Sequence, residues 1–344
     1  KRLSKENTSK EIAESCAVST NTVLRIQSDL SKTLERPKTL PYYICFDGVS
    51  STSDSISKMS FVYADALTHK IQNILQGRTN KIIKDYFLYY SYQERCKVKA
   101  VVIDMNSGYK SIIRELFPNA KIVIDRFHIV QLINRAFNKY RVSFMNSIKD
   151  KNKELYRQLK CHWKNPLTSY DELDNGTHRK FKYFKYITTE QDIVNYLIKQ
   201  DPQLYRCYWL IQDLREALEK DDFDKFKTLI NDKSTLPRYM FIAIKILRKY
   251  KRQIKNTMYH NGLSNGPLEG INNKIKVIKR ISYGYSPFSN FKAKILLVFS
   301  LFKHSETNKE PRYSNEERQA ILTKNKEIRL KRKNRKKAIL LNIA

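Results

Sequence analysis

Acidic residues and long apolar runs are both scarce in this chain of 344 residues. Asp and Glu number 34 against 66 Lys and Arg, so the formal net charge is +32. A charge of that size indicates a polyanionic partner, nucleic acid before an anionic membrane surface, although a basic surface that only aids solubility is the plainer interpretation. No segment is apolar over the roughly 18 residues of a membrane helix, and no apolar leader follows Lys1, so we expect no membrane span and no secretory signal.

Cysteine is also rare, and its spacing excludes two further classes of protein. The cysteines lie far apart and form no Cys-x-x-Cys pair: Cys16, Cys45, Cys96, Cys161 and Cys207. This spacing predicts neither a disulfide framework nor a zinc ribbon. Free thiols are typical of a reducing cytosol, so we expect a cytoplasmic protein. Because the chain begins at Lys1 rather than Met, we also expect that an N-terminal piece is missing.

The first segment, residues 1–36, has the pattern of a helix-turn-helix. Two short helical patterns within Lys10–Ile26 are separated by a turn at Ala17, and Ser19 is a good N-cap for the second helix. The second helix of such a unit enters the major groove of DNA, although an ordinary helical hairpin would show the same pattern. The candidates for reading DNA bases are Thr20, Asn21 and Arg25.

Residues 42–148 alternate between strand and helix patterns, which predicts an α/β core. Apolar runs of strand length occupy Tyr42–Phe46, Met59–Ala64, Lys70–Leu75, Ala100–Ile103 and Lys121–Ile124. The last two runs are continuously apolar, as is typical of parallel strands buried on both faces. Helix patterns occupy Lys81–Tyr92, Tyr109–Leu116 and His128–Ser147. We therefore expect a mixed sheet with flanking helices.

The rest of the chain is mostly helical in pattern. Residues 149–260 are rich in Lys, Tyr and Phe at helical spacing and predict a large helical insertion domain. Residues 261–304 begin with a loop rich in Gly and Asn and predict a return to the core through two helices, Leu268–Ile281 and Phe291–Phe302. Residues 305–344 are strongly basic and predict a flexible tail.

Two aspartates each follow an apolar run of strand length, Asp47 the first run and Asp104 the fourth. Functional sites of open α/β sheets assemble at the carboxyl ends of strands, and a buried carboxylate there is costly unless it is paired or binds a cation. Hard divalent ions such as Mg²⁺ prefer oxygen ligands, and two of them can bind both oxygens of a phosphoryl displacement. The alternative is that each aspartate only caps a turn.

A helix that follows Pro267 supplies a third carboxylate. Its apolar face carries three isoleucines that can pack on the sheet, whereas the opposite face carries Glu269, Asn272, Asn273, Lys276 and Arg280. Such a polar stripe suits a phosphate backbone, although a solvated charged face looks the same. The cations that we expect to hold backbone phosphates are Lys274, Lys276, Lys279 and Arg280.

A further acidic residue and a histidine follow the fifth predicted strand, in the order Asp125-Arg126-Phe127-His128. Asp125 and His128 could be metal ligands, a hydrogen-bonded structural couple or a proton-transfer pair. We favour the structural interpretation, in which Asp125 caps the next helix and orients the ring.

Two long stretches of the chain resemble the bacterial insertion-sequence transposases of the ISL-three type, in the DDE superfamily. They are Phe117–Ala120 with Ile124–His128, and Leu268–Lys276 with Lys279, Arg280 and Tyr283–Tyr285. The resemblance extends in order over roughly residues 42–302. It implies a ribonuclease-H-like fold and a two-metal site for Mg²⁺ or Mn²⁺, whose ligands and catalytic residues map to Asp47, Asp104 and Glu269.

The resemblance also implies an activity, a partner and a location. The expected reaction is metal-dependent cleavage of double-stranded DNA at insertion-sequence ends, followed by strand transfer to target DNA, carried out by a homo-oligomer assembled on DNA in the nucleoid. The chain departs from this type at Gly48, where relatives usually carry an acidic residue, and beyond about Pro311. It also lacks a match to their Cys-rich amino-terminal region. The alternatives are an inactive remnant that only binds DNA and a nuclease that cuts without joining.

Overall fold

The computed structural model describes residues 7–33, 36–55, 57–105, 108–260, 262–282 and 285–301. Within these ranges, one mixed sheet has the strand order β3-β2-β1-β4-β5. Its strands are β1 (Tyr43–Ser50), β2 (Met59–Asp65), β3 (Ile71–Leu75), β4 (Ala100–Ile103) and β5 (Lys121–Ile124). Strands β1, β2 and β3 are antiparallel neighbours, whereas β4 and β5 run parallel to β1. The expectation of an α/β mixed sheet is confirmed.

Strand β1 is longer than the sequence predicts. The apolar run indicated an end at Phe46, but the strand continues through Asp47 to Ser50. The reason is its hairpin partner, since β1 pairs with β2 over its length as far as Ser50 opposite Met59, whereas its parallel pairing with β4 stops at Cys45. Asp47 therefore lies inside a strand rather than after one. Strands β4 and β5 have the predicted bounds.

The N-terminal segment folds as two helices, α1 (Ser9–Cys16) and α2 (Thr20–Thr33). Ala17 between them has φ 53°, a left-handed conformation that costs a non-glycine residue on the order of 1 kcal/mol. The Ser19 hydroxyl accepts the Thr22 amide at 3.1 Å, as the predicted N-cap does. This layout agrees with a helix-turn-helix, and its role in DNA binding remains a prediction.

The predicted helix over Lys81–Tyr92 is wrong as a single element. The structure has two helices here, α3 (Asn80–Phe87) and α4 (Tyr92–Cys96). Ser91 begins the second helix, because its side chain caps α4 by accepting the Glu94 amide. Helix α5 (Lys110–Leu116) follows β4, and the long α6 (Arg126–Ser147) follows β5.

Residues 149–260 are mainly helical, as their pattern predicts. The helices are α7 (Lys153–Cys161), α8 (Glu190–Ile198), α9 (Pro202–Glu219), α10 (Phe223–Asn231), α11 (Arg238–Lys249) and α12 (Lys251–Tyr259). A short antiparallel pair, β6 (Arg179–Lys180) and β7 (Ile187–Thr188), was not predicted, since two-residue strands leave no periodicity to detect. Helices α9 and α11 pack on α6, and their apolar side chains join those of one sheet face in a single core. Whether this segment is a separate insertion domain stays a prediction.

The other face of the sheet is covered by α13 (Gly266–Ile281) and α14 (Phe288–Leu301). Ile271 and Ile275 of α13 pack with Cys45 and Val62 of the sheet, so the predicted apolar face of this helix is confirmed. Helix α14 also contacts α2, where the Gln27 side-chain amide donates to the Asn290 carbonyl at 3.0 Å. Across the part of the chain that the structure describes, no helix is long and apolar enough to cross a membrane. The predicted tail, residues 305–344, lies outside the described residues.

Candidate active site

Two aspartates meet at one edge of the sheet. Asp104 directly follows β4, and Asp47 lies on β1 two residues beyond Cys45, the last residue of β1 that pairs with β4. Because parallel neighbours lie roughly 4.8 Å apart, these two points of the chain are adjacent. Both side chains line one cleft of about 370 Å³. The structure therefore brings Asp47 and Asp104 together.

Helix α13 reaches both aspartates through side-chain amides. Asn272 Nδ2 donates to Asp47 Oδ2 at 2.6 Å, and Asn265 Nδ2 donates to Asp104 Oδ1 at 3.2 Å. The Gly48 amide donates to the second oxygen of Asp47 at 2.7 Å. The amide oxygens of Asn265 and Asn272 are buried and accept no hydrogen bond from the described residues. Two carboxylates and two unsatisfied amide oxygens form a set of hard oxygen donors, which fits the preference of divalent cations such as Mg²⁺.

The electrostatics of this edge also favour a cation. Burial raises the pKa of Asp47 above its usual value of 3.8, and the charge of Asp104 raises it further. The Gly48 amide and the charges of His128 and Lys276 lower this pKa without cancelling the rise. A positive ion between two partly buried carboxylates relieves such repulsion.

His128 and Asp125 have different partners at this edge. His128 Nε2 lies 2.7 Å from Asp104 Oδ1, and this bond is the main reason that the pKa of His128 is raised. Asp125 caps α6 by accepting the Phe127 amide at 3.2 Å, and the backbone amide of Asn265 also donates to it. The capping role of Asp125 follows the structural interpretation, whereas the ring of His128 hydrogen-bonds to Asp104 rather than to Asp125.

Glu269 lies on the same face of α13 as the two asparagines. It is four residues after Asn265 and three before Asn272, and its side chain is exposed. The structure does not bring it into a three-carboxylate cluster: among the described residues, no group of three or more His, Cys, Asp or Glu side chains lies close enough to hold a metal ion. Glu269 is thus one helical turn away from the two side chains that contact the aspartates.

The predicted DNA-contacting cations occupy different environments. Lys276 is exposed on the α13 face that carries Glu269, and Arg280 is exposed near the end of the helix. Lys279 instead donates to the Ser50 hydroxyl and the Ser51 carbonyl, which ties α13 to the end of β1. Lys274 lies over the Phe299 ring at 5.5 Å. On α2, the side chains that point to solvent include Thr20, Asn21 and Arg25.

Sequence reasoning missed part of the wall of this cleft. Besides the two aspartates, Arg78, Asn80 and Tyr109 line it. Arg78 follows β3, two strands away from Asp47, so no local motif joins it to the site. Burial raises the pKa of Tyr109 to about 12, and this residue is a hydrogen-bond donor at neutral pH.

A mixed α/β sheet that pairs two carboxylates in one cleft, one within a strand and one directly after the neighbouring strand, fits enzymes that act on phosphate esters with divalent cations. The family model described as "Transposase", of the ISL-three type, matches residues 44–295. That match includes every residue of the cleft described above. The chain belongs to this family of DDE transposases, and the resemblance seen in its motifs is confirmed.

Two curated relatives give a more detailed comparison. The chain is similar to the transposase for insertion sequence element IS1001 of Bordetella parapertussis, with 25% identity over 245 residues, which cover 69% of this chain and 56% of that protein. It is also 40% identical over 109 residues to a protein of Lactococcus lactis subsp. lactis named ATP-dependent protease, over 32% of this chain and 35% of that protein. The chain thus spans about a third to a little over half of the length of these relatives.

The protease name is that of the Lactococcus protein alone. The eight glycines of this chain include no pair spaced five residues apart, as the phosphate-binding loop GxxxxGK[ST] requires.

Proposed function

We propose that this chain cleaves the ends of an insertion sequence and joins the released 3′-hydroxyl to target DNA. The observation that carries the proposal is the pairing of Asp47 with Asp104 in one cleft, within a chain of this transposase family. The net charge of +32 supports a DNA partner, because cations bind DNA phosphates in a sequence-independent way. Assembly as a homo-oligomer on DNA belongs to the same proposal.

Asp47 and Asp104 would hold the divalent ions, Mg²⁺ or Mn²⁺, and Glu269 of α13, whose side chain lies outside this pair in the structure, is the proposed third ligand. When bound, such ions stabilise the attacking and leaving oxygens of a phosphoryl displacement. The buried amide oxygens of Asn265 and Asn272, which have no hydrogen-bond partner among the described residues, support a polar ligand at this edge of the sheet. The reaction belongs to the class in which catalysis is mostly positioning and charge stabilisation.

The chain's own residues position this chemistry. Asn272 and the Gly48 amide fix the two oxygens of Asp47, while Asn265 and His128 fix Asp104. Among the predicted phosphate-holding cations, Lys276 is the one whose charge lowers the pKa of Asp47. Thr20, Asn21 and Arg25 of α2 would read the terminal sequence in the major groove.

The test is a cleavage and strand-transfer assay on a duplex that carries the inverted repeats flanking the coding sequence. With Mg²⁺ or Mn²⁺, we expect wild type to nick the end and to join a pre-cut 3′ end to a second duplex. Asp104→Asn should reduce both steps by at least about 10²-fold, since it removes one carboxylate from a site that acts by charge stabilisation. Asp85→Asn, on the exposed side of α3, is the matched control and should be unchanged.

The outcomes distinguish three hypotheses: a transposase, a remnant that only binds DNA, and a nuclease. Binding without cleavage by the wild type would favour the DNA-binding remnant. Cleavage without joining of a pre-cut end would favour a nuclease. Equal cleavage by wild type and Asp104→Asn would show that the carboxylate assignment is wrong.

A further inference from the structure

We propose that Arg78, with Asn80 and Tyr109, forms a phosphodiester-binding subsite in the cleft that Asp47 and Asp104 also line. The subsite would hold one backbone phosphate of the DNA strand beside the reacting one. This inference rests on the proposed function, and it adds a binding site for a named chemical group to it.

The backbone around Arg78 is fixed on both sides. Gly77 has φ 142°, a backbone conformation that L side chains rarely adopt, so any other residue would be strained there. The Gly77 carbonyl accepts the Phe61 amide of β2 at 3.1 Å. On the other side, Thr79 caps α3 by accepting the Ile82 amide. Arg78 is therefore held in a defined position at the exit from β3.

The side chain of Arg78 runs from that position back across the sheet to β1. In the strand register, Leu75 of β3, Phe61 of β2 and Gly48 of β1 form one row. A Cβ built on Gly48 would lie 3.3 Å from Arg78 Nη1 and 3.5 Å from its Cδ. Because Gly48 has no side chain, the guanidinium has room on the face of β1 that carries Phe46, opposite the side chain of Asp47, and it lines the same cleft as the two aspartates.

The charge of Arg78 is available to a ligand. Arg78 is exposed, and it takes part in none of the ion pairs that the described residues form. It is near enough to Tyr109 to act on that hydroxyl. A planar guanidinium matches the two free oxygens of a phosphodiester, and the Tyr109 hydroxyl and Asn80 amide are further donors. A cation at this point offsets the repulsion between DNA phosphates and the two aspartates.

The test is a chemical substitution scan that does not depend on catalysis. Terminal duplexes carry an uncharged methylphosphonate in place of one phosphate at a time, and their binding is measured in EDTA. In wild type, one or two positions near the cleavage point should weaken binding about tenfold, the size expected for a charged hydrogen-bonded contact at an open site. In Arg78→Gln, a methylphosphonate at the same positions should not weaken binding further. Arg157→Gln, at an exposed position of α7, should show the same position dependence as wild type.

Two further variants separate charge and space from folding. Arg78→Lys should restore part of the binding, because it keeps the charge and loses the fork. Gly48→Val fills the space of the guanidinium, so it should weaken DNA binding about as much as Arg78→Gln does. The double variant should bind DNA no more weakly than either single variant, because both changes remove the same contact. Thermal unfolding should be alike for Arg78→Gln and Arg157→Gln.

The subsite is overturned if each methylphosphonate position costs the same in Arg78→Gln as in wild type, or if Gly48→Val and Arg78→Gln have additive effects. A wild type that shows the Arg78-dependent position but never cleaves supports the subsite and contradicts the proposed function. Failure of one is therefore distinguishable from failure of the other.

Discussion

The two ends of the parallel strands differ in the sign of their charge. At the exit end, where the chain leaves β4 and β5, Asp47 and Asp104 line one cleft, and the buried Asp125 follows β5. At the entry end, where the chain enters β4 and β5, two adjoining clefts are lined by five cations: Lys97, Lys99, Lys121, Arg114 and Arg252. Among the described residues, no carboxylate lines either cleft. Two exposed tyrosines, Tyr42 and Tyr259, flank this entry end, which is thus a cationic surface with open aromatic rings. In a chain with a net charge of +32, two neighbouring carboxylates in one cleft are unexpected, and a bound cation would account for them.

Two histidines report this difference directly. At the exit end, the hydrogen bond to Asp104 raises the pKa of His128. At the entry end, burial and the charge of Lys121 lower the pKa of His260. The same side chain is therefore driven toward its charged form at one end and toward its neutral form at the other. The sheet thus separates an end where two aspartates line a cleft from an end whose clefts are lined by cations.

The largest effect is expected from the removal of the third proposed carboxylate. Glu269→Gln should reduce DNA cleavage by about 10²–10³-fold with little change in DNA binding, because the lost charge acts on the transition state. Steady-state cleavage of the terminal duplex in Mg²⁺ measures this, with Glu154→Gln on exposed α7 as the control. A cleavage rate within twofold of wild type would remove Glu269 from the site.

A second prediction concerns the strand that supports the acidic end. The Thr257 hydroxyl of α12 accepts the Ile124 amide at 3.0 Å and lies 2.8 Å from the Ile124 carbonyl, both buried. Thr257→Val leaves these groups without that partner, so the free energy of unfolding in urea should fall by about 1–3 kcal/mol. Thr228→Val, whose hydroxyl bonds an exposed helical carbonyl, should change it by less than about 0.5 kcal/mol.

The raised pKa of Asp47 predicts a stability effect that depends on pH. A carboxyl whose pKa is higher in the folded state than its usual 3.8 holds its proton more tightly when folded, so its ionisation destabilises the fold as pH rises through the folded pKa. Asp47→Asn should therefore be more stable than wild type at neutral pH, with an advantage that shrinks as pH falls toward 3.8.

Urea unfolding at a series of pH values measures this advantage. Mg²⁺ should stabilise wild type and not Asp47→Asn, because a ligand stabilises only the fold that binds it. An Asp47→Asn variant that is less stable at every pH would contradict the electrostatic argument.

The smallest effect is expected at the entry end. Lys99→Gln with Lys121→Gln should leave the cleavage rate at saturating DNA within about twofold, because neither lysine faces the acidic cleft. If this end holds target DNA, the slope of log affinity against log salt should become shallower by roughly 0.9 for each lost phosphate contact. Lys151→Gln with Lys153→Gln, both exposed, is the matched control. A large fall in the cleavage rate would contradict the view that the cations of the entry end act separately from the acidic cleft.

The sequence predicts most of the elements that carry the site. Strands β4 and β5 could be bounded correctly because each is a continuous apolar run between polar residues. The helix that carries Glu269 could be oriented because its isoleucines recur at helical spacing and meet the sheet. Asp104 followed from its position after β4.

The rest depends on contacts between distant segments. The continuation of β1 through Asp47 is imposed by pairing with β2, and the apolar run gave no sign of it. Arg78 enters the cleft because the register of three strands aligns Leu75, Phe61 and Gly48, which no local pattern contains. The contacts of the two asparagines with the aspartates likewise join residues more than 150 positions apart.

The side chains of α12 beside β5 have a consequence for behaviour at high concentration. An outermost strand with free amides and carbonyls is a template on which another chain can add a strand and aggregate. Here Asn256 donates to the Ile122 carbonyl at 2.9 Å and Thr257 occupies the polar groups of Ile124. Two side chains thus occupy polar groups of β5 that a sixth strand would use, which disfavours the addition of another chain at this edge of the sheet.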